Sequence, residues 1–555
     1  MEQTSRLRSH NPDILEFIAS LSNDAIATPP KLANQMLDIL EKGWAESHSE
    51  ETIWSNQDIT FLDPFCKSGI FLREVVKRLN VGLSKKIPDL NERVNHILTK
   101  QIYGIGITEL NTLLAMRTVY CSRNIKSEHS IVDALVNPKG NLLHHRNYHS
   151  WIGGKKSFEV DELTGKEKVV YKGRKCKFCN GSEKEWDRDS TFESYAYSFL
   201  HNSDPQKFLK TLYGGNVKFD VVIGNPPFNL SDGGGTGTSA IPIYQHFVEQ
   251  AKKLDPKYLC MIIPARWYSG GKGLDEFRES MLKDNRIRFI EDYPNSNDVF
   301  VGTQIKGGIC YFLWDRDTPG DVTVTTHDKG DVISKATRPL VENGLDIFVR
   351  YNVAIPILKK IIKVEGSEKK GSLNLPPDKR FSELVSVRNP FKIAKEMREH
   401  KERRKKSLKL FRVGGPIYTD RSVVSKNEEL IDRWKVFIPF LASGSDNYPH
   451  PILGKPFVGE PGSATTETNL VIGPFSSKKE AENVLSYIKT RLFRFLVLQK
   501  KPSQNATRKV YDFVPTQDFS NPWSDQKLYK RYGLNKNEIN FIESMVRSME
   551  NLDDN

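Results

Sequence analysis

Residues Phe219–Leu230 read FDVVIGNPPFNL, a short apolar run that stops abruptly at Asn225-Pro226-Pro227-Phe228. Neither proline can donate to a sheet ladder, so the strand must end there in a rigid turn. A turn at the carboxyl end of a strand is where open α/β sheets place their ligands. The surrounding pattern predicts such a sheet. Short apolar runs at Ile59–Leu62, Gln101–Ile107, Phe219–Ile223, Tyr258–Ile263, Ile287–Asp292 and Gly308–Trp314 alternate with helical stretches at Lys31–Gly43, Gly69–Val81, Asn111–Cys121, Pro242–Leu254 and Gly273–Lys283. That rhythm is doubly wound α/β.

With 555 residues the chain has room for two to four domains, and 38% hydrophobic residues exclude disorder throughout. We divide it into a sheet domain over 1–330 with an insertion at about 137–195, a connecting helix over 331–364, and a second, α+β domain over 365–555. Lysine and arginine exceed acidic residues by 13, which points to a polyanionic partner, nucleic acid first, or to a generic basic surface. Six cysteines in so long a chain fit a reducing cytoplasm. The N-terminus carries no export-signal pattern, and no apolar run reaches membrane-spanning length, so no membrane partner is expected.

The turn at Asn225 has the parts needed to methylate an exocyclic amine on a heteroaromatic ring. Such an amine is a weak nucleophile because its lone pair is delocalised. The Asn225 side-chain oxygen and the Pro226 carbonyl can each accept one N–H, drawing the nitrogen towards a pyramidal geometry, while Phe228 stacks on the base. The alternative is a plain tight loop, since Asn and Pro are common turn formers. Upstream, Thr60–Leu72 reads TFLDPFCKSGIFL, a strand, an acid, a small-residue turn and a helix, which is how a nucleotide-like cofactor is cradled at a helix N-terminus.

These two segments resemble the gamma-class N6-adenine DNA methyltransferases, the methylase parts of restriction-modification enzymes. The family's first block, D-P-x-x-G-S-G-x-F/L, is matched by Asp63-Pro64-Phe65-Cys66-Lys67-Ser68-Gly69-Ile70-Phe71, its N-P-P-Y/F by Asn225–Phe228, and its additional N-terminal block by Ala27-Thr28-Pro29-Pro30. The resemblance covers most of the first 315 residues. It implies a Rossmann-like methyltransferase sheet, S-adenosylmethionine as cofactor, double-stranded DNA as substrate with base flipping, a separately encoded restriction endonuclease as a possible companion, and a prokaryotic or phage origin. It also implies cofactor contacts from Thr28, Pro29, Asp63, Phe65, Lys67, Ser68, Gly69 and Asn225.

The chain departs from the family in three places. Lys67 replaces the first loop glycine, which binding tolerates if Lys67 keeps a negative φ. Gly106 stands where the family places an acid for the ribose hydroxyls, and Glu109 is the substitute, or else a solvent-facing helix-start residue. The adenine-contact block is either Ile131–Leu135 or Tyr197–Asp204; the second, nearer to Asn225, is preferred and brings in His201 and Asn202. The glycine-rich loop Asn229–Ala240 is either a flexible cover over a flipped base or an ordinary surface loop.

Cys176-Lys177-Phe178-Cys179 has the spacing that puts two sulfurs on one tetrahedral ion. His149 and His201 complete a zinc site in one reading, with His144 and His145 in reserve; in the other, these are two reduced cysteines in a turn. In the C-terminal domain Lys489, Arg491, Arg494, Lys500, Lys501, Arg508 and Lys509 are candidates for phosphates, and Gln504 and Asn505 for base edges. By the resemblance this domain reads the DNA target. A solvated helix face explains many of the same residues. Beside DNA adenine methylation stand methylation of an RNA guanine amine or a protein glutamine, and a non-catalytic DNA-binding protein with a decayed sheet.

Overall fold

The computed structural model describes residues 28–48, 51–121, 130–131, 140–160, 167–187, 196–215, 217–230, 241–271, 273–303, 305–394, 399–400, 407–442, 448–501 and 504–549. Ala27, residues 132–135 of the first adenine-block candidate and residues 231–240 of the glycine-rich loop lie outside them.

The chain enters through α1 (Pro30–Ser47), which has a proline at its first position, where no N–H is needed. It continues as β1 (Phe61–Cys66), α2 (Ile70–Gly82), β2 (Ile102–Gly106), α3 (Glu109–Tyr120), β3 (Leu142–Leu143), α4 (Pro205–Tyr213) and β4 (Val221–Gly224). Then follow α5 (Tyr244–Lys252), β5 (Tyr258–Pro264), α6 (Asp275–Lys283), β6 (Ile287–Tyr293), β7 (Ile309–Asp315), β8 (Val322–Asp328) and β9 (Asp331–Arg338).

Nine strands form one sheet in the order β9-β8-β6-β7-β5-β4-β1-β2-β3. β1, β2, β3, β4 and β5 run parallel to one another, while β7 runs antiparallel between β5 and β6. Successive strand residues point to opposite faces. Phe61, Val221, Ile223, Cys260 and Ile262 therefore join the core under α1, α2 and α3, and Leu62, Val222, Leu259, Met261 and Ile263 the core under α4, α5 and α6. Strand order reverses between β1 and β4, so the topological switch point lies at their carboxyl ends.

Two boundaries differ from the sequence expectation. Leu142–Leu143 pairs with β2 as the sheet's edge, so the insertion begins after it; two apolar residues are too short a run to read as a strand. The insertion is built of hairpins, Lys155–Val160 with Glu167–Lys172 and Trp151–Ile152 with Lys175–Cys176. The expected connecting helix over 331–364 also needs correction. Residues 331–338 are β9, because the hairpin at Val322 is added to the main sheet through β6. Only Ala354–Glu365, α7, is helical there, and its Ile357, Leu358 and Ile361 belong to the C-terminal core.

That C-terminal part holds two three-stranded sheets and further helices on two apolar clusters, a larger one from Leu345 to Met549 and a smaller one around Phe391, Leu408, Leu410 and Phe437. It is keyed to the large sheet by Phe348, packed on Tyr268 and Trp267, and by Arg350, which donates two hydrogen bonds to the buried Asp292 carboxylate at 2.8 and 2.9 Å.

Candidate active site

At the switch point, Thr28, Asp63, Phe65, Lys67, Ser68, Gly69, Ile70, Phe71 and Asn225 line a small pocket that opens to solvent. Three local devices build it. The ladder between β1 and β2 slips between Asp63 and Cys66, a bulge of the kind that re-aims side chains beside active sites. Gly69 caps α2 with φ +77, a left-handed conformation that glycine adopts without strain. Gly224 lets the ends of β1 and β4 close together, since a Cβ there would stand 2.8 Å from Asp63 Oδ1 and 2.7 Å from Phe65.

The result is an anchored carboxylate beside a helix N-terminus. Asp63 Oδ1 accepts from the Phe65 N–H at 3.1 Å. Burial nonetheless pushes its carboxyl up to about 7, outweighing that bond and the nearby Lys67 ammonium. Asn225, only 3% exposed, donates its amide nitrogen to Thr28 Oγ1 at 3.1 Å across 197 residues of sequence. With the nitrogen turned to Thr28, Oδ1 is the acceptor end of the amide.

Of the expected cofactor residues, Thr28, Asp63, Phe65, Lys67, Ser68, Gly69 and Asn225 converge here. Lys67 is not among the residues with positive φ, so losing the family's glycine costs the loop no strain. Ile70 and Phe71 line the pocket too, although sequence reasoning gave them no role; their place in the first turn of α2 was the signal. So was the position of Gly224, directly before the Asn-Pro-Pro turn.

Four expected contacts lie elsewhere. Pro29 is exposed at the start of α1, and Glu109 is exposed at the start of α3; neither lines the pocket. An acid at position 106 is blocked, because a Cβ there would stand 1.8 Å from Thr112 Oγ1, which is itself bonded to the Thr108 carbonyl. His201 and Asn202 turn away as well. His201 packs beside Phe178 and His149, and Asn202 bonds to the Ser198 carbonyl.

Phe228 is 7% exposed and packs against Phe300. The open aromatic face expected from sequence is therefore covered by the Val299–Phe300 segment that follows β6, because a bare ring beside that apolar segment buries itself.

The basic residues of the C-terminal domain divide sharply. Arg494 is wholly buried, and its guanidinium donates to the carbonyls of Lys489, Thr490, Pro451 and Arg547. It faces the core rather than a phosphate, which corrects its assignment to DNA. Arg491 is paired with Glu543, Lys500 with Asp512 and Arg508 with Glu383. Lys501 and Gln504 are half-buried, and burial lowers the Lys501 ammonium to about 8. Lys489, Asn505 and Lys509 are exposed.

A doubly wound sheet whose switch-point pocket joins a glycine-capped helix to an amide on a proline-stiffened turn defines a methylase-type α/β enzyme. Residues 100–300 match the Eco57I restriction-modification methylase family. An uncharacterized adenine-specific methylase of Mycoplasma pneumoniae is 34% identical over 386 residues, covering 67% of this chain and 88% of that protein. The chain belongs to this family of adenine-specific, restriction-modification methylases.

Solved structures similar to it in outline include the Type ISP restriction-modification enzyme LlaGI with a DNA substrate mimic (12% identity, TM-score 0.46, 87% of this chain and 45% of that chain) and the Type IIL enzyme MmeI with DNA (11% identity, TM-score 0.45, 85% and 65%). The chain thus spans under half of LlaGI. Among the described residues no helix is long and apolar enough to cross a membrane.

Proposed function

We propose that this chain transfers a methyl group from S-adenosylmethionine to the N6 amine of an adenine flipped out of double-stranded DNA. The observation that carries the reading is the juxtaposition, in one pocket, of the Asn225 amide with the buried Asp63 carboxylate and the N-terminus of α2. S-adenosylmethionine supplies an electrophilic methyl carbon on a sulfonium. Asp63 offers its cationic groups a carboxylate, the first turn of α2 offers N–H donors, and Phe65 and Phe71 offer apolar walls. Asn225 Oδ1 and the Pro226 carbonyl accept the two amine hydrogens, localising the lone pair. Water takes the proton after transfer, so no strong base is needed. The C-terminal domain reads the target, Lys489 and Lys509 serving as phosphate contacts and Asn505 as a base contact. A prokaryotic cytoplasm and a separately encoded endonuclease suit this reading. Transfer of labelled methyl from the cofactor tests it: label appears in duplex DNA as N6-methyladenine, and label in RNA or protein alone overturns it.

Asp63 makes cofactor affinity pH-dependent. Its folded pKa, about 7, lies above the ordinary 3.8. The folded chain therefore holds the proton more tightly than the unfolded chain, and the group subtracts stability as pH rises through that interval. A cation in the pocket favours the ionised form. Affinity for S-adenosylmethionine is accordingly expected to rise by up to about tenfold per pH unit below about 7 and to level off above it. Titration calorimetry on wild type and Asp63→Asn checks this, and a wild-type affinity as flat as the variant's contradicts it.

A base can stack on Phe228 only if the Val299–Phe300 segment gives way. Phe228→Leu keeps the apolar packing and removes the π face, so kcat/KM should fall by roughly 1–3 kcal/mol of transition-state stabilisation, while Phe228→Tyr retains activity. Equal activity in all three proteins would remove Phe228 from the base site.

A further inference from the structure

Outside the residues that line the catalytic pocket, three separate segments bring His149, Cys176, Cys179 and His201 together, with their ligand atoms all within 4.8 Å of one another. We propose that these four side chains bind one zinc ion, as two thiolates and two neutral imidazoles, and that the ion pins the insertion to the wall of the catalytic domain.

The geometry is that of a metal knuckle. Pairing of Trp151–Ile152 with Lys175–Cys176 places His149 beside the cysteine turn. The turn closes through Asn180 N–H to the Cys176 carbonyl at 3.0 Å, and the Phe178 N–H points at Cys176 Sγ at 3.5 Å, a bond that stabilises a thiolate. His149 Nδ1 lies 3.5 Å from Cys179 Sγ. Zn–S near 2.3 Å and Zn–N near 2.0–2.1 Å at a tetrahedral angle place such a sulfur and nitrogen about 3.5 Å apart. Closing the remaining edges needs side-chain shifts of about an ångström, which rotation about χ1 and χ2 supplies.

His201 provides the independent observation. It is 5% exposed; its Nδ1 bonds to the Tyr197 carbonyl at 3.0 Å, and its buried Nε2 has no hydrogen-bond partner. A carbonyl accepts only from N–H, so the proton sits on Nδ1 and the Nε2 lone pair is directed at the cysteines. That is the arrangement in which metal-bound histidines are held by their neighbours. Charge agrees too: two thiolates offset Zn²⁺, so a buried site carries no net charge. Both cysteines are buried and free of disulfide. Binding releases two thiol protons and oxidises nothing.

The placement gives the ion a task. A Cβ on Gly181 would stand 3.4 Å from Cys179 Sγ and 2.6 Å from Leu230 Cδ2, so the knuckle abuts a residue two positions beyond Phe228. Tyr197 and Phe199 share its core. Metal binding therefore braces the segment that leaves the catalytic turn.

The test uses full-length protein made without a histidine tag in zinc-supplemented medium and desalted. Elemental analysis should find about one zinc per chain. Cobalt exchanged for it should show thiolate charge-transfer absorption and the intense visible bands of tetrahedral coordination. The Cys176→Ser, Cys179→Ser double variant should lose both signals. Should that variant fail to fold, a mercurial thiol reagent on wild type should release about one zinc per chain, and only after the exposed Cys121 has been titrated. Hydrogen exchange after metal removal should rise around 176–186 and 197–201 and stay unchanged in β5 and β7. Wild type without zinc, a Cys176–Cys179 disulfide in its place, or zinc retained by the double variant or after thiol modification, overturns the proposal.

Discussion

Replacing Asn225 by alanine is expected to lower methyl transfer by at least about 10²–10³-fold, the scale of losing one well-placed hydrogen-bond acceptor at a reacting centre. Its oxygen is offered as one of two acceptors that free the amine's lone pair, and the turn holding it has no slack. The loss should appear in kcat. Cofactor affinity should fall little, because Asp63, Phe65 and the first turn of α2 remain. The Thr28 hydroxyl loses the amide hydrogen it accepted at 3.1 Å, a stability cost of about 1 kcal/mol. Single-turnover methylation with saturating cofactor and DNA isolates the chemical step. Asn225→Ala turning over at the wild-type rate would falsify the assignment of Asn225 to that step. Asn225→Asp is the informative companion: it keeps an acceptor but puts a carboxylate beside Thr28 and near Asp63, so intermediate activity that recovers as pH falls is expected.

Arg494→Ala should cost on the order of 3–5 kcal/mol of stability, because removing the guanidinium strands several buried carbonyls at once. Burial lowers its pKa to about 10, which still leaves it charged at neutral pH, held by the Lys489, Thr490, Pro451 and Arg547 carbonyls and the nearby Asp525. Denaturant unfolding followed by C-terminal tryptophans such as Trp434 and Trp523 measures the loss. Lys509→Ala is the contrast. This side chain is exposed, so stability should change by no more than about 0.5 kcal/mol, while the slope of log affinity for DNA against log salt should fall by about 1. The reverse outcome, a stable Arg494→Ala protein with selectively weakened DNA binding, would return Arg494 to the DNA surface.

The six strands expected from apolar runs all form, each within a few residues of its anticipated position. The first block and the Asn-Pro-Pro turn meet as expected, because each is a local device. A proline ends a ladder, a glycine takes a left-handed cap, and a strand feeding a helix presents N–H groups wherever the rest of the chain goes. Glu109, His201 and Asn202 were placed by analogy of position and miss the pocket. The space at Gly106 is taken by Thr112, one turn into α3, which no spacing rule reveals. Leu142–Leu143 is a strand only because β2 offers an edge to pair with.

Residue types and short spacings settle what this chain can do locally: which turns are rigid, where a helix begins, and which side chains can accept a proton, a hydrogen bond or an ion. They act over a handful of bonds, so no distant partner is needed to read them. Whether Arg494 meets a phosphate or four carbonyls, whether Phe228 is open or covered by Phe300, and whether His201 faces the pocket or two cysteines depend on segments tens to hundreds of residues apart. Burial and partner choice are set by how those segments pack, and a one-dimensional pattern does not carry that information.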